Sequence, residues 1–243
     1  MENFKQLSAH LLFVIFMTTM LVSCGNSNDE PHATETRPTL ISCEGKDLFI
    51  FIYDDSGKLT HLSSSALNFT ININYSPLQL IISDGKDIST LNNISTTHHG
   101  FIQWATCYDK NGSRILELTY NQSGNLTRIS DTNGEDIIFT WSDGNLIELK
   151  KYSGDGSEST CTFNYSDIAN KNGIFSPCWG PYGSVLMSGL FGLAPKYFPS
   201  GIKFYNGETA DYAYKLNDDG TINTEQITYH GHTSNLSYKY QPR

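Results

Sequence analysis

Two histidine pairs are the first residues in the sequence that could bind a metal ion. His98 and His99 are adjacent, and His230 and His232 flank Gly231. A zinc site needs three or four ligands at defined spacings, and neither pair has a third ligand or an H-E-x-x-H helix. We therefore interpret both pairs as polar residues in turns and predict no metal site.

The acidic segment NDDGTINTEQ (217–226) raises the question of calcium. An EF-hand loop with Gly220 at its sixth position would need an acid at position one and Glu at position twelve. Those positions hold Lys215 and Gln226, so the match fails. The adjacent aspartates are typical of a turn.

Ser83 and Lys86 match a nucleophile motif, S-x-x-K, in letters only. That motif works from a helix, whereas the intervening Asp84-Gly85 predicts a hairpin turn. The sequence contains no G-x-S-x-G and no glycine-rich phosphate loop. Carboxylate pairs for glycoside hydrolysis meet only in three dimensions, so a hydrolase is disfavoured and not excluded. We predict a non-enzymatic protein with no catalytic residue and no cofactor.

Aromatic side chains are the remaining candidates for a ligand site. Exposed rings stack well on the apolar faces of sugars, but rings at alternating positions usually belong to a core. Both interpretations stay open for five residues: Trp104, Trp141, Trp179, Tyr182 and Tyr205.

Cys24 could be a core thiol, half of a disulfide or a covalent anchor. It follows LLFVIFMTTMLV (11–22), an uncharged segment too short to span a bilayer but typical of the h-region of a signal peptide. The run Leu21-Val22-Ser23-Cys24-Gly25 resembles a bacterial lipobox. The resemblance implies that residues 1–23 are removed and that acyl chains such as palmitate are attached to Cys24. The alternative is an ordinary signal peptide with an incidental cysteine.

Residues 24–39 are polar, contain Pro and acidic side chains, and are predicted to form a flexible tether. Gly25, not Asp, follows Cys24, so retention at the inner membrane is not signalled and the outer membrane is expected. The pair Asp29-Glu30 resembles the surface-export signals of Bacteroidetes lipoproteins. We therefore expect a membrane-anchored protein at the cell surface rather than in the periplasm.

Four cysteines remain once Cys24 is lipidated, and an even number in an exported protein permits disulfides. Buried thiols are the alternative, because Cys161 alternates with Phe163 and Tyr165 as a core residue would. Three pairings are open among Cys43, Cys107, Cys161 and Cys178.

Composition limits the class of protein. The 243 residues are 38% hydrophobic, enough for one large all-β domain, which we place at residues 40–243. The net charge is −9 and no basic run occurs, so nucleic acid is not an expected partner.

Glycine spacing predicts the architecture. Turn sequences place Gly112, Gly124, Gly134, Gly144 and Gly156 at intervals of 10 to 12 residues. Asn-Gly and Asp-Gly dipeptides favour type I′ turns, so an antiparallel meander of consecutive hairpins is predicted.

The segments between turns alternate like strands. LNFTININY (67–75), STCTFNY (159–165) and NLSYKY (235–240) each place apolar side chains on one face. LFIFIYD (48–54) is apolar on both faces, so we expect it to lie centrally or beneath a covering segment.

One segment, 173–202, departs from this alternation. It is apolar and rich in Gly and Pro. Residues 183–194 could form a short helix that ends before Pro195. We interpret the segment as a partly helical insertion that packs over the sheet or closes one end.

An aromatic residue precedes several turns, as in YDDSGKL, YDKNGSRI, YNQSGNL and WSDGNL, similar to the tyrosine–aspartate repeats of bacterial surface and toxin shells. Together with the lipobox, and with GLFGLAPKYFPSGI (189–202) followed by YAYKLNDDGTI (212–222), this resembles the Bacteroidetes lipoproteins of domain of unknown function 4595. The resemblance covers roughly residues 40–240. It implies a porin-like fold, a curled sheet or barrel, and assigns no functional residue.

A porin-like fold does not make the chain a porin. Charged residues near predicted strand centres, such as Glu117, Glu148 and Lys150, favour a water-exposed domain on a lipid tether. We predict a binding module for a glycan, a peptide or another envelope protein. The alternatives are a structural or assembly factor of the envelope and, least favoured, an unrecognised hydrolase.

Overall fold

Alternating apolar and polar residues between glycine turns produce sixteen antiparallel strands in the computed structural model, which describes residues 36–171, 173–174 and 189–242. In that part of the chain no helix is long and apolar enough to cross a membrane. The strands are β1 Thr36–Cys43, β2 Lys46–Tyr53, β3 Leu59–Ser64, β4 Phe69–Tyr75, β5 Leu78–Ser83, β6 Ile88–Thr96, β7 Ile102–Asp109, β8 Gly112–Tyr120, β9 Leu126–Asp131, β10 Asp136–Ser142, β11 Asn145–Tyr152, β12 Glu158–Ala169, β13 Tyr197–Lys203, β14 Thr209–Leu216, β15 Ile222–Tyr229 and β16 His232–Pro242.

Each strand pairs with the next, and β1 pairs with β16, so the sheet closes into a barrel. Thr36 at the start of β1 lies opposite Pro242 at the end of β16. We call the end of the barrel where β1 begins and the even-numbered strands finish the entry rim, and the opposite end the far rim. The predicted meander of consecutive hairpins is confirmed, and the barrel is closed.

Apolar side chains fill the interior. Phe51 faces Leu62 on the next strand, and Ile71 and Ile82 continue the same row on β4 and β5. None of these four is more than 8% exposed, and the buried apolar residues form one cluster. A round barrel of sixteen strands leaves an aqueous channel, whereas this interior is occupied by side chains.

The predicted alternation is confirmed in β4, β12 and β16, where Ile71, Phe163 and Leu236 are buried. β2 is flanked by β1 and β3, but the expectation that a segment covers its second apolar face was wrong. Its inward residues are buried, but Ile50 and Ile52 face outward and are 41% and 50% exposed. Two apolar faces therefore do not place this strand beneath a cover.

Most of the predicted type I′ turns have another geometry. At Gly124, Gly134 and Gly156 the glycine N–H donates to the carbonyl three residues earlier, and only the glycine has a positive φ. This is a three-residue loop with a bulge at glycine. Asp143 and Gly144, with φ angles of 50° and 78°, form the expected type I′ turn.

The aromatic residues before the turns fasten neighbouring strands at the entry rim. Each donates a hydrogen bond from its polar tip to a backbone carbonyl 15 to 19 residues earlier, at 2.6 to 2.9 Å. These aromatic clamps are Tyr53, Tyr75, Tyr120, Trp141 and Tyr165. Three of the four aromatic residues in the repeat are therefore clamps, whereas Tyr108 lies at the far rim and is 44% exposed.

Residues 189–196 form a strap along the entry rim. Leu190 accepts a hydrogen bond from the N–H of Ile102, Leu193 donates to Gly124, and Lys196 donates to Gly144. Leu190 and Phe191 are buried against the core. Residues 189–194, the described part of the predicted helix, are not helical. Residues 197–202, predicted to be part of the insertion, belong to strand β13. The rest of the predicted helix lies outside the described residues.

Candidate binding site at the far rim

Two turns at the far rim bring five polar and aromatic residues together. The β13–β14 turn carries Tyr205, Asn206 and Glu208, and the β15–β16 turn adds Tyr229 and His230. Pairing of β14 with β15 sets the turns side by side, with Ala210 opposite Tyr229. We call these five residues the rim cluster.

Turn geometry directs the Glu208 side chain. The N–H of Phe204 donates to the carbonyl of Glu208 at 2.8 Å, and Gly207, with a φ of +86°, closes the loop. The N–H of Glu208 donates to Asn206 Oδ1 at 3.1 Å. The β15–β16 turn needs only two residues because His230 and Gly231 both have positive φ angles.

Glu208 is the centre of the rim cluster. Its Oε1 lies 2.8 Å from His230 Nε2, and its Oε2 accepts hydrogen bonds from Asn206 Nδ2, at 2.6 Å, and from the Tyr229 hydroxyl. The Tyr229 and Asn206 bonds and the neighbouring His230 hold the pKa of Glu208 below its ordinary value. Burial, and then the carboxylate, raise the pKa of Tyr229 to about 12. The site is an anionic acceptor at neutral pH.

Aromatic rings frame this carboxylate. Tyr205 is 49% exposed, and the Tyr229 ring packs edge-on against Phe204, with centroids 5.9 Å apart. A ring face beside a charged acceptor, an amide and an imidazole suits a ligand that has an apolar face and hydroxyl or amine donors. The rim cluster holds one carboxylate, whereas glycoside hydrolysis uses two.

The other predicted stacking residues lie elsewhere. Trp104 is half-buried on the outer wall of β7. Trp141 packs against the core at the entry rim, and its indole N–H donates to the carbonyl of Leu126 at 2.7 Å. Trp179 and Tyr182 lie outside the described residues. The structure therefore does not bring Trp104, Trp141 and Tyr205 to one site.

The cysteines are free thiols at three of the four predicted positions. Cys107 is buried, and burial raises its pKa to about 11. Burial also raises the pKa values of Cys43 and Cys161. Cys178 and Cys24 lie outside the described residues, so disulfide formation and lipidation stay predictions.

The histidine pairs show no metal geometry in the described part of the chain, where no three potential ligands converge. The rings of His98 and His99 contact each other in the β6–β7 turn, with centroids 3.7 Å apart and planes tilted by 43°. His230 instead pairs with Glu208.

Glu208 and Tyr229 were not predicted from the sequence, and His230 was interpreted only as a turn residue. The only sequence feature that could have placed these residues together is the order of the hairpin turns along the chain. In a meander of consecutive hairpins, the Asn206-Gly207 and His230-Gly231 turns must fall on the same rim.

A second polar group lies inside the barrel. Glu225 on β15 is fully buried and accepts hydrogen bonds from the hydroxyls of Tyr238 and Tyr214, the latter at 3.3 Å. A buried carboxylate is stable only with such donors around it. This carboxylate is closed to solvent, so the rim cluster is the better candidate for binding.

Comparison with known proteins bears on the fold. No protein-family model matches the sequence, and no curated protein matches it. A crystal structure of a porin-like protein from Bacteroides uniformis is 19% identical over 79% of this chain and 90% of that one, with a TM-score of 0.60.

A second porin-like protein, from Bacteroides vulgatus, is 15% identical over 85% of this chain and 99% of that one, with a TM-score of 0.53. The chain has a porin-like fold. The predicted fold is confirmed at this level, and membership of domain of unknown function 4595 is not confirmed.

Proposed function

We propose that the protein is a non-enzymatic lipoprotein of the outer membrane whose barrel is a binding module and not a channel. The observation that supports this proposal best is the filled, apolar interior. A channel needs a polar lumen open to water, but inward residues such as Leu80, Leu91 and Leu116 are at most 1% exposed.

The outer wall also differs from that of a membrane-spanning barrel, which presents an apolar band to lipid. Near the middle of β11, Glu148 and Lys150 point outward, and Lys150 also lies 3.6 Å from Glu158 on β12. Charges at the bilayer midplane cost about 2–4 kcal/mol each for Lys or Arg. A wall of this kind favours an aqueous surrounding for the domain.

Lipidation at Cys24 would attach the barrel to the membrane through its entry rim. Cys24 is twelve residues before Thr36, a distance of at most about 40 Å. Thr36 is on the entry rim, and the rim cluster is on the far rim. The proposed binding site is then at the opposite end of the barrel from the point of attachment, where it is accessible to an external ligand.

Cell fractionation, palmitate labelling and protease treatment test the lipid anchor and the exposure of the domain at the cell surface. The native protein should sediment with outer membranes, incorporate labelled palmitate and be digested by protease added to intact cells. Cys24→Ala should abolish labelling and release the protein. Palmitate labelling of the Cys24→Ala variant would contradict the proposed anchor. Protection from protease until lysis would contradict the proposed exposure at the cell surface.

Glycan-array binding tests the rim cluster. The native chain should retain a ligand that Tyr205→Ala and Glu208→Gln both lose, because one removes a stacking face and the other the charge. Ile147→Ala truncates a 40% exposed side chain on β11, outside the rim cluster, and serves as the control. Equal binding by all four proteins would remove the rim cluster from consideration.

A further inference from the structure

The outward side chains of β4 to β7 form a regular polar grid. Asn74 lies opposite Gln79, and Asn92 lies opposite Thr106. Gln79 Nε2 donates to Asn92 Oδ1 at 2.6 Å, which joins the two pairs into one row. Carboxamides and hydroxyls of this kind donate and accept hydrogen bonds without carrying charge.

A second row runs parallel to the first. It contains Asn72, Ile81, Thr90 and Tyr108, each opposite the next on the neighbouring strand. Ile81 is 39% exposed and Tyr108 is 44% exposed. The row therefore offers apolar surface between polar groups.

Trp104 extends this surface along β7. Its neighbour Ala105 and the next inward residue, Cys107, are at most 1% exposed, so Trp104 and Tyr108 share the outer face. The two rings are about 13 Å apart along the strand. The pairing of β6 with β7 shifts register beside Trp104, where Asn93 has a φ of 51°.

No outward side chain of β4 to β7 is charged at neutral pH, and we call this surface the neutral face; Glu117 on β8, opposite Trp104, marks its boundary. The wall from β9 to β12 is different, because Arg128 pairs with Asp136 and Lys150 lies near Glu148 and Glu158. A chain of net charge −9 therefore carries a continuous uncharged patch across four strands.

We propose that the neutral face binds an uncharged polysaccharide. Sugar hydroxyls match the carboxamides and hydroxyls of the grid, and the two rings can stack on sugar faces. The absence of charge on this face matches a neutral polymer, while the acidic remainder of the molecule repels anionic ones.

The size of the neutral face decides against a second copy of the chain. Four strands span about 14 Å between outer strands, and the grid extends about 13 Å along them. With side-chain width this is about 300 Å², well below the about 800 Å² per partner of a stable interface. A polymer a few sugars wide needs no larger area.

This inference goes beyond the proposed function, because it concerns a different surface and does not depend on the rim cluster. Affinity electrophoresis of the full chain carrying Cys24→Ser, in gels containing amylose, dextran or a mixed-linkage β-glucan, tests it. Polygalacturonate serves as the charged counterpart. Ile147→Ala, which truncates a 40% exposed isoleucine on β11, is the matched control.

We expect retardation by at least one neutral polymer and none by polygalacturonate. Trp104→Ala and Tyr108→Ala should each weaken binding about tenfold, and Thr90→Lys should weaken it without removing a ring. Raising the salt concentration should have little effect, because no ion pair is involved. Circular dichroism of each variant establishes that it is folded.

Three results would overturn the proposal. The first is that no neutral polymer retards the protein. The second is that folded Trp104→Ala and Tyr108→Ala variants are retarded as strongly as the native chain. The third is that the protein sediments as a dimer and that Thr90→Lys dissociates this dimer. Loss of binding in Tyr205→Ala alone would support the rim cluster and count against the neutral face.

Discussion

Arg114 shows how much of the far rim depends on one side chain. Its guanidinium pairs with Asp109 and, at 3.2 Å, with Asp131, and all three side chains are at most 6% exposed. Each aspartate uses its other oxygen to accept backbone N–H groups of its own turn, from Asn111 and from Asn133. One arginine therefore joins the β7–β8 and β9–β10 turns.

Replacing Arg114 should be costly. Arg114→Met leaves two buried carboxylates without their cation, and we expect a loss of about 3–5 kcal/mol in the free energy of unfolding. Urea denaturation measures the loss. Arg128→Met breaks an exposed pair with Asp136 and should cost no more than about 1 kcal/mol, so similar losses in both variants would contradict this role.

The pKa of Glu208 provides a second test at the residue scale. Since Tyr229 is the first cause of its lowered pKa, Tyr229→Phe should move the pKa upward toward the ordinary value. A carboxyl with a depressed folded-state pKa stabilises the fold above its unfolded pKa, and this is lost as the pH falls through the folded value. The Tyr229→Phe variant should therefore lose this contribution at higher pH than the native chain does.

Carbon-13 NMR titration of the Glu208 carboxyl measures that shift directly. Tyr108→Phe removes an exposed hydroxyl on another strand and should leave the titration unchanged. An unchanged curve in Tyr229→Phe would show that the hydrogen bond does not control the carboxylate.

At the scale of elements, the strap and the aromatic clamps both secure the entry rim. The strap crosses the turns after β8 and β10, and the clamps bond strand ends to earlier strand starts. Both devices satisfy backbone groups that a barrel rim would otherwise leave to water.

Gly192 tests the strap. A Cβ there would lie 2.7 Å from the Gly124 carbonyl oxygen and 2.9 Å from the Leu126 nitrogen, and the φ of +106° strains any other residue. Gly192→Ala should cost more than the about 1–3 kcal/mol expected for backbone strain alone. Thermal unfolding should show this, with faster amide exchange at Ile102.

Gly134→Ala is the control, since its φ is +84° but no atom lies within 4 Å of the added Cβ. The difference between the two variants isolates the close approach of strap to turn. An equal loss in both would mean that the strap moves aside without cost.

Tyr120 tests a clamp. Its hydroxyl donates to the Ile102 carbonyl at 2.6 Å, so Tyr120→Phe should destabilise the barrel by about 1 kcal/mol. Tyr108→Phe, whose ring is exposed, should change the melting temperature little. Equal melting temperatures for both variants would argue that the clamp bond has no net effect.

At the scale of the whole molecule, closure brings the first and last strands together. Thr36 and Pro242 are paired, so a short Gly/Ser linker between them, with new ends at the Asn133–Gly134 turn, should give a folded permutant. Far-ultraviolet circular dichroism and a thermal melt measure this. A permutant opened between Ile71 and Asn72 cuts a central strand and should be much less stable. The reverse order of stability would contradict the pairing of β1 with β16.

The sequence predicts local features of this barrel well. The alternation of Ile71 and Ile73 with Asn72 and Asn74 is a property of neighbouring residues, and so are the glycine turns. The type of each turn was harder to predict. The dipeptides Asn133-Gly134 and Asp143-Gly144 are similar in sequence, but the first lies in a three-residue loop and the second in a two-residue loop.

Contacts between distant segments could not be predicted. Glu208 meets Tyr229 across 21 residues, and the β1 hydroxyl of Thr39 meets the carbonyl of Lys239 across 200. Ile50 looked like a buried residue because its own strand is apolar on both faces. Only the closed sheet decides which of those faces meets water.

The pairing of β1 with β16 also sets an order in time. During synthesis β1 emerges before any other strand of the barrel, and its second partner emerges after all of them. Until His232–Pro242 is delivered, the growing sheet has two unpaired edges that can join a neighbouring chain. Strand β16, eleven residues long, therefore closes the barrel. A chain whose synthesis stops before β16 keeps two exposed strand edges, which promote aggregation.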